Sequence, residues 1–276
     1  MNYDYMKVNQ QRWNEMVGIH ETSEFYDVAG FKAGRIMVPE LEREELGDVT
    51  GKSLIHLQCH FGMDTMSWGR LGATVTGVDY SEKAIALAQS LATELGIEAR
   101  FLCSNLYDLL DSKLLTDQFD IVYTALGVLS WLPDLEVWAK LVAHYLKPGG
   151  TFYILEGHPF LWTLEDPAPG AEVTDFKIAY PYFMGEALKF ENDHSYADPK
   201  AVLKNKTEYS WNHPFSEILG SLLSAGLSIE FFHEFPYCGW AAFPDMELSS
   251  DGWYRFKDER KRSLLPLMFS LKAIKK

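Results

Sequence analysis

Ser53-Leu54-Ile55-His56-Leu57-Gln58-Cys59-His60-Phe61-Gly62, continued by Ala73-Thr74-Val75-Thr76-Gly77-Val78-Asp79, is the stretch that decides the fold. An apolar run enters a short polar turn holding one glycine. A helix-like segment follows. A second apolar run ends in an acid seventeen residues after that glycine. Strand, loop, helix and strand, with a carboxylate at the tip of the second strand, outline a nucleoside site, because such a carboxylate accepts from ribose hydroxyls.

Outward from this stretch the rhythm continues. Ala99–Cys103, Asp120–Thr124 and Thr151–Leu155 read as further strands. Ser81 opens a helix with Glu82 in its first turn and an apolar stripe at Ala84, Ile85, Leu87, Ala88 and Leu91. Leu135–Leu146 is a second helix, stopped by Lys147-Pro148-Gly149-Gly150. Alternating strands and helices predict a parallel sheet covered on both faces. Before the sheet, Gln11–Val17 and Glu40–Leu46 read as helices and Glu24–Phe31 as a loop. After it, residues 157–206 carry prolines from Pro159 to Pro199, many aromatics and no period, which predicts a cap or lid. Order returns with a strand at Thr207–Trp211, a helix over Phe215–Ala225 closed by Gly226, and strands at Leu227–Phe235 and Leu267–Ile274. Pro236–Arg262 reads as irregular. The expected organisation is an N-terminal cap segment over 1–50, a binding core over 51–156, a substrate cap over 157–206, and the rest of the core sheet over 207–276.

With 276 residues, one α/β unit with an elaborated cap is expected. A formal charge of −14 disfavours nucleic acid and anionic membrane surfaces, which need Lys and Arg. Cys59, Cys103 and Cys238 are odd in number and far apart, so they form neither a disulfide framework nor a metal pattern. The first residues hold no apolar signal core, and no run reaches the length of a membrane span. A reducing cytoplasm is the expected home. The sequence leaves the oligomeric state open.

The first loop separates the candidate ligands. A pyrophosphate needs glycines at a one-then-two spacing, so that backbone N–H groups can approach it. Those positions hold Gln58, His60 and Met63, so a nicotinamide dinucleotide is disfavoured. S-adenosylmethionine has no pyrophosphate and demands less of the loop. Asp79 is then the ribose acid, the alternative being a turn cap before Ser81. Asn105, after the third strand, is either an acceptor for the adenine amine or a turn residue. The fourth strand ends at Ala125-Leu126-Gly127, whose backbone would line the floor beneath a sulfonium.

These residues, together with Phe119-Asp120-Ile121-Val122-Tyr123, Trp131-Leu132-Pro133-Asp134 and Leu146-Lys147-Pro148-Gly149-Gly150-Thr151, resemble the class I S-adenosylmethionine-dependent methyltransferases. The resemblance covers about residues 50–156, and 207–235 and 267–274 less strongly. The first-strand loop resembles that of a bacterial subgroup. The resemblance implies a Rossmann-like, doubly wound α/β sheet of seven strands, mostly parallel with an antiparallel last strand, plus an inserted cap. It implies cofactor contacts at Gln58, His60, Gly62, Asp79, Tyr80, Asn105, Leu106 and Ala125. The chain departs from the family in carrying His56 where an acid is common, and Gln58 and His60 where glycines are common. His60 then either meets the cofactor carboxylate or only packs.

Methyl transfer from a sulfonium is an in-line displacement that rests on alignment and desolvation. A hydroxyl acceptor also asks for a base or a metal. Glu156 and His158, beyond the fifth strand, are the candidate catalytic residues, with His158 the better base. His158 alternatively bonds a loop carbonyl, and His213 reads as a helix-entry residue. No histidine pair has a metal-ligand spacing, so no metal is expected. Aromatics such as Trp162, Tyr182, Trp211 and Trp240 line a pocket for an organic substrate or form the cap's own core. Trp13, Tyr26 and Phe31 are candidates to close the cofactor pocket. The expected function is methyl transfer to a small molecule. The alternative is a non-catalytic S-adenosylmethionine sensor or partner subunit, against which the large aromatic cap argues.

Overall fold

The computed structural model describes residues 3–167, 173, 175–183 and 185–276. Its centre is a seven-stranded sheet. The strands are β1 (Ser53–Leu57), β2 (Thr74–Asp79), β3 (Ala99–Cys103), β4 (Phe119–Ala125), β5 (Leu146–Gly157), β10 (Leu227–Phe235) and β13 (Met268–Lys275). Across the sheet the order is β10-β13-β5-β4-β1-β2-β3. β13 runs antiparallel to both β5 and β10, and the other pairings are parallel. The expected sheet, with its antiparallel last strand, is the one found. The strand order reverses between β1 and β4, so the carboxyl ends of β1, β2 and β4 open onto one crevice.

Both faces of the sheet are covered, which is why its strands read as continuous apolar runs. Successive residues of β4 show it. Val122 faces a core built with Trp138, Val142, Phe152 and Ile218, under helices α7 (Leu135–Tyr145) and α8 (Phe215–Ser224). Ile121 and Tyr123 face the opposite core, with Leu54, Trp68, Tyr153 and Trp253. Trp138 is fully buried, and its truncation to Ala would cost about 3–5 kcal/mol.

Helix α7 starts where the Asp134 carboxylate accepts from Val137 N–H. The chain then turns at Gly149, whose φ of 76° is left-handed, and continues as β5. Lys147 fixes this turn to the rest of the sheet. Its Nζ lies 2.9 Å from Asp120 Oδ2, which also accepts from Ser53 N and Oγ at 2.8 and 2.7 Å. The Ser53 hydroxyl first, then Lys147, hold the Asp120 carboxyl down to about 2.

Three expectations are corrected. The stretch expected as a loop over Glu24–Phe31 contains a short helix, α2 (Val28–Lys32), because the Asp27 side chain caps it by accepting from Gly30 N–H. The strand expected at Thr207–Trp211 exists as β9 (Thr207–Ser210) but does not join the main sheet. It pairs with β6 (Leu188–Glu191), so it belongs to the cap. The stretch Pro236–Arg262 holds a small hairpin, β11 (Met246–Leu248) with β12 (Tyr254–Phe256). The cap is completed by the pair β7 (His194–Ser195) and β8 (Asp198–Val202).

The N-terminal helix α1 (Tyr3–Thr22) is longer than the seven residues foreseen, and it joins cap to core. Arg12, on this helix, is buried. Its Nη1 donates to Asn192 O and Asn205 O, its Nη2 donates to His194 O, and its Nε lies 2.7 Å from Glu208 Oε2. One guanidinium thus gathers several carbonyls from the cap's turns.

Candidate active site

The crevice is built from the loops after β1, β2 and β4, with α1 laid across them. The first loop keeps left-handed backbone at all three relevant positions, with φ of 59° at Gln58, 49° at His60 and 74° at Gly62. Two of the three carry side chains, which strains the backbone by about 1–2 kcal/mol at each position. Gly62 has no such latitude. A Cβ there would sit 2.5 Å from the Phe101 ring, so this glycine serves packing beneath the loop. It caps α4 (Met63–Arg70), the helix that leaves the loop.

Asp79, at the tip of β2, fixes the loop from the other side. Its Oδ2 accepts from His60 N–H and its Oδ1 from Ser81 N–H, both at 2.8 Å. Burial raises its carboxyl, and the N–H donors of Ser81, His60 and Tyr80 oppose that. Each oxygen retains a further lone pair for a ligand hydroxyl. Helix α1 passes directly over this point. Gln10 Nε2 donates to Tyr80 O at 2.8 Å, and Asn14 Oδ1 accepts from Ser81 Oγ at 2.6 Å. Trp13 stands edge-on to His60 at 5.3 Å and to Trp131 at 5.4 Å between ring centroids. Of the three aromatics proposed to close the pocket, Trp13 and Tyr26 meet His60, while Phe31 is fully buried beneath Arg70.

The His60 ring packs and hydrogen-bonds. Its Nε2 lies 2.9 Å from His20 Nδ1, and His20 Nε2 lies 3.0 Å from Ser195 Oγ of the cap. Burial pushes His20 down to about 4 and His60 well below its ordinary value, so both rings are neutral. His56, at the common acid position, is buried with Nδ1 2.9 Å from Thr65 Oγ1 and is pushed down to about 3. It is a neutral core residue, edge-on to Tyr123.

Of the two roles open to Asn105, the turn role is the one seen, and its side-chain oxygen keeps a second lone pair. Asn105 caps the short helix α6 (Leu106–Leu109), accepting from Tyr107 N–H at 3.0 Å, and is buried. Leu106 is buried beside it. Tyr80 packs half-buried against the core, and Ala125 is half-buried at the end of β4.

Glu156 and His158, expected as the catalytic pair, are committed elsewhere. Glu156 Oε1 accepts from Gly127 and Gly157 N–H, and Oε2 from Val128 and Leu129 N–H, at 2.6–3.1 Å. Burial raises this carboxyl and the four donors oppose the rise. It is an anchor for the β4 loop rather than a free acid or base. His158 Nε2 lies 2.9 Å from Glu234 Oε1, and its Nδ1 accepts from Phe160 N–H at 3.0 Å. Neither ring nitrogen is open to a substrate. His213 Nε2 donates to Leu132 O and its Nδ1 faces Glu217, which fits the helix-entry role.

Two features of the first loop and the helix that leaves it go beyond what the sequence indicates, which is a cofactor contact at Gln58 and a helix start at Asp64. The Gln58 amide donates from Nε2 to Val128 O at 3.0 Å, while its Oε1 is buried without a hydrogen-bond partner. Asp64, in the first turn of α4, is half-buried, and burial pushes its carboxyl up to about 6. Among the described residues, no group of three or more His, Cys, Asp or Glu side chains is placed to hold a metal ion. No helix among them is long and apolar enough to cross a membrane.

Residues 55–154 match the family model described as a methyltransferase domain. The chain is similar to a ubiquinone biosynthesis O-methyltransferase of Idiomarina loihiensis, 33% identical over 103 residues, or 37% of this chain and 41% of the relative. It thus spans under half the length of that relative. Among solved structures, it resembles an S-adenosylmethionine-dependent methyltransferase of Mesorhizobium loti, with a TM-score of 0.59 at 22% identity, covering 88% of this chain and 100% of the other. One from Clostridium acetobutylicum superposes with a TM-score of 0.58 at 13% identity, covering 95% and 98%. At such identities the likeness is one of fold. Sheet order, the Lys-Pro-Gly-Gly turn, the acid at the tip of β2 and the domain match agree: residues 55–154 carry a methyltransferase domain, set in a fold shared with S-adenosylmethionine-dependent methyltransferases.

Proposed function

We propose that this chain transfers a methyl group from S-adenosylmethionine to a small-molecule acceptor. The observation that carries the reading is Asp79, a half-buried carboxylate locked by two backbone N–H groups at the tip of β2 with acceptor capacity left over. The residues present fit the cofactor. Asp79 would hold the ribose hydroxyls, and the orphaned Gln58 Oε1 awaits a donor on the same loop. When bound, S-adenosylmethionine supplies a methyl group on a sulfonium with a good leaving group. The chain's own part is to align and dehydrate. Trp13 and Trp131 screen the crevice from water, and Glu156 fixes the backbone at the end of β4.

With both His158 nitrogens and both Glu156 oxygens committed, the acceptors that fit best are nucleophilic near neutral pH without help. Acidic phenols and unprotonated amines meet that condition. The O-methyl transfer named for the Idiomarina relative makes hydroxyl acceptors the first class to test. The charge of −14 and the thiols of Cys59, Cys103 and Cys238, free of any disulfide, suit a cytoplasmic enzyme that handles neither nucleic acid nor membrane.

The same commitment of both candidate bases favours a second reading, a binding protein without catalysis. S-adenosylhomocysteine release, measured over a panel of phenols and amines, separates the two. Release with at least one acceptor supports transfer. Binding of S-adenosylmethionine with no release across the panel supports the sensor, and absence of binding refutes both.

A further inference from the structure

The Gln58 amide is held in one orientation by a relay of contacts that begins at Glu156. Glu156 Oε2 accepts from Val128 N–H at 2.6 Å, and Val128 O accepts from Gln58 Nε2 at 3.0 Å. With Nε2 tied down, Oε1 has a fixed direction, and it is buried without a partner. An acceptor left in that state destabilises the fold unless a donor meets it. The residue also sits at φ 59°, where glycine is the unstrained choice. Strain and an unsatisfied acceptor at one residue of a ligand loop point to a ligand.

The donor can be named by elimination along the crevice. Asp79, bonded to His60 N–H at the β2 side of the loop, is placed for ribose hydroxyls. Gln58 lies at the opposite side, tied to the segment after β4. The donor that a nucleoside sulfonium carries away from its ribose is the ammonium of its amino-acid end. Asp64, on the helix that leaves the same loop, adds a half-buried carboxylate with no hydrogen bond or ion pair among the described residues. His56, the other candidate by position, is spoken for by Thr65.

We propose that Gln58 Oε1 accepts a hydrogen bond from the ammonium of S-adenosylmethionine, with Asp64 supplying negative charge nearby, and that Glu156 is a positioning residue acting through Val128 on Gln58. This rests on the cofactor reading above.

The test is calorimetric, on the full chain, with two ligands. One is S-adenosylhomocysteine. The other is its deaminated analogue, which keeps the carboxylate and lacks the amine. Wild type should prefer the first by about tenfold to hundredfold. Gln58→Met, similar in length, should erase most of that preference while changing affinity for the deaminated ligand by less than about threefold. Gln58→Gly, which relieves the φ 59° strain, guards against a misfolded variant and should lose the same preference. Glu156→Gln should reduce the preference by about threefold to tenfold, through the amine alone. Equal losses for both ligands in the Gln58 variants would overturn the assignment, as would a wild type indifferent to the amine. Binding of neither ligand by wild type would instead bring down the cofactor reading itself.

Discussion

Asp64→Asn separates the stability of the unliganded chain from its affinity for a cationic ligand. Asp64 is half-buried in the first turn of α4, and burial pushes its carboxyl from 3.8 up to about 6. The folded chain therefore holds this proton more tightly than the unfolded chain does. Stability from this group is fully present below about pH 4, is lost as pH rises from 3.8 to about 6, and stays lost above. At about 1.4 kcal/mol per pH unit, the ionised carboxylate costs the fold at most about 3 kcal/mol. Partial contact with solvent and the helix N-terminus reduce that to about 1–2 kcal/mol. Asparagine keeps the shape and removes the charge. In urea unfolding, Asp64→Asn should be more stable than wild type by about 1–2 kcal/mol near pH 7.5, with the gap closing near pH 4. By calorimetry, the same variant should bind S-adenosylhomocysteine about tenfold more weakly near pH 7.5, because negative charge beside the ammonium is gone. A variant less stable than wild type near pH 7.5 would show that Asp64 has a stabilising partner. Unchanged affinity would show that it does not face the ligand.

Asp79→Ala should weaken S-adenosylmethionine by about a hundredfold by calorimetry, through loss of the ribose acceptor and of its hold on His60 N–H; unchanged affinity would make Asp79 only a turn cap. Gly62→Ala should destabilise the chain by about 2–4 kcal/mol in urea, since the new methyl meets Phe101 at left-handed φ; a loss under about 0.5 kcal/mol would mean that the loop relaxes freely. Asp120→Asn should cost about 1 kcal/mol at neutral pH, with allowance for solvent screening at a group 37% exposed. The Asp120 carboxyl is held down to about 2, so its contribution is present above about pH 4 and fades as pH falls through about 2. A gap between variant and wild type that persists at about pH 2 would contradict this.

What could be read from the chain and what could not differ in physical origin. β1, β2, β4 and β5 are covered on both faces, so each appears as a bounded apolar run whatever its partners are. The Lys-Pro-Gly-Gly turn is local chemistry and needs no tertiary knowledge. The cap strands β6 and β9 are four residues each and are separated by the whole β7–β8 hairpin, so only their pairing makes them strands. Asp79 was legible because its place follows from the strand that precedes it. Glu156 was found by position and misjudged by role. The N–H groups of Gly127, Val128 and Leu129 that claim its oxygens come from a neighbouring strand's loop. His158 failed for a similar reason, since Glu234 lies 76 residues away in sequence. His20 gave no signal at all, forty residues ahead of the His60 ring it meets. Gln58 reads from sequence as a missing glycine and, by resemblance, as a cofactor contact, without the atom that would make it. Its orphaned oxygen depends on which half of the amide Val128 holds.

The crevice beyond β1, β2 and β4 suits S-adenosylmethionine and not a dinucleotide. Titration of the wild-type chain with S-adenosylmethionine and, separately, with NAD tests it most directly. Saturable one-to-one heat is expected with S-adenosylmethionine and none with NAD, because Gln58, His60 and Met63 stand where a pyrophosphate needs glycines. Saturable binding of NAD alone would contradict it.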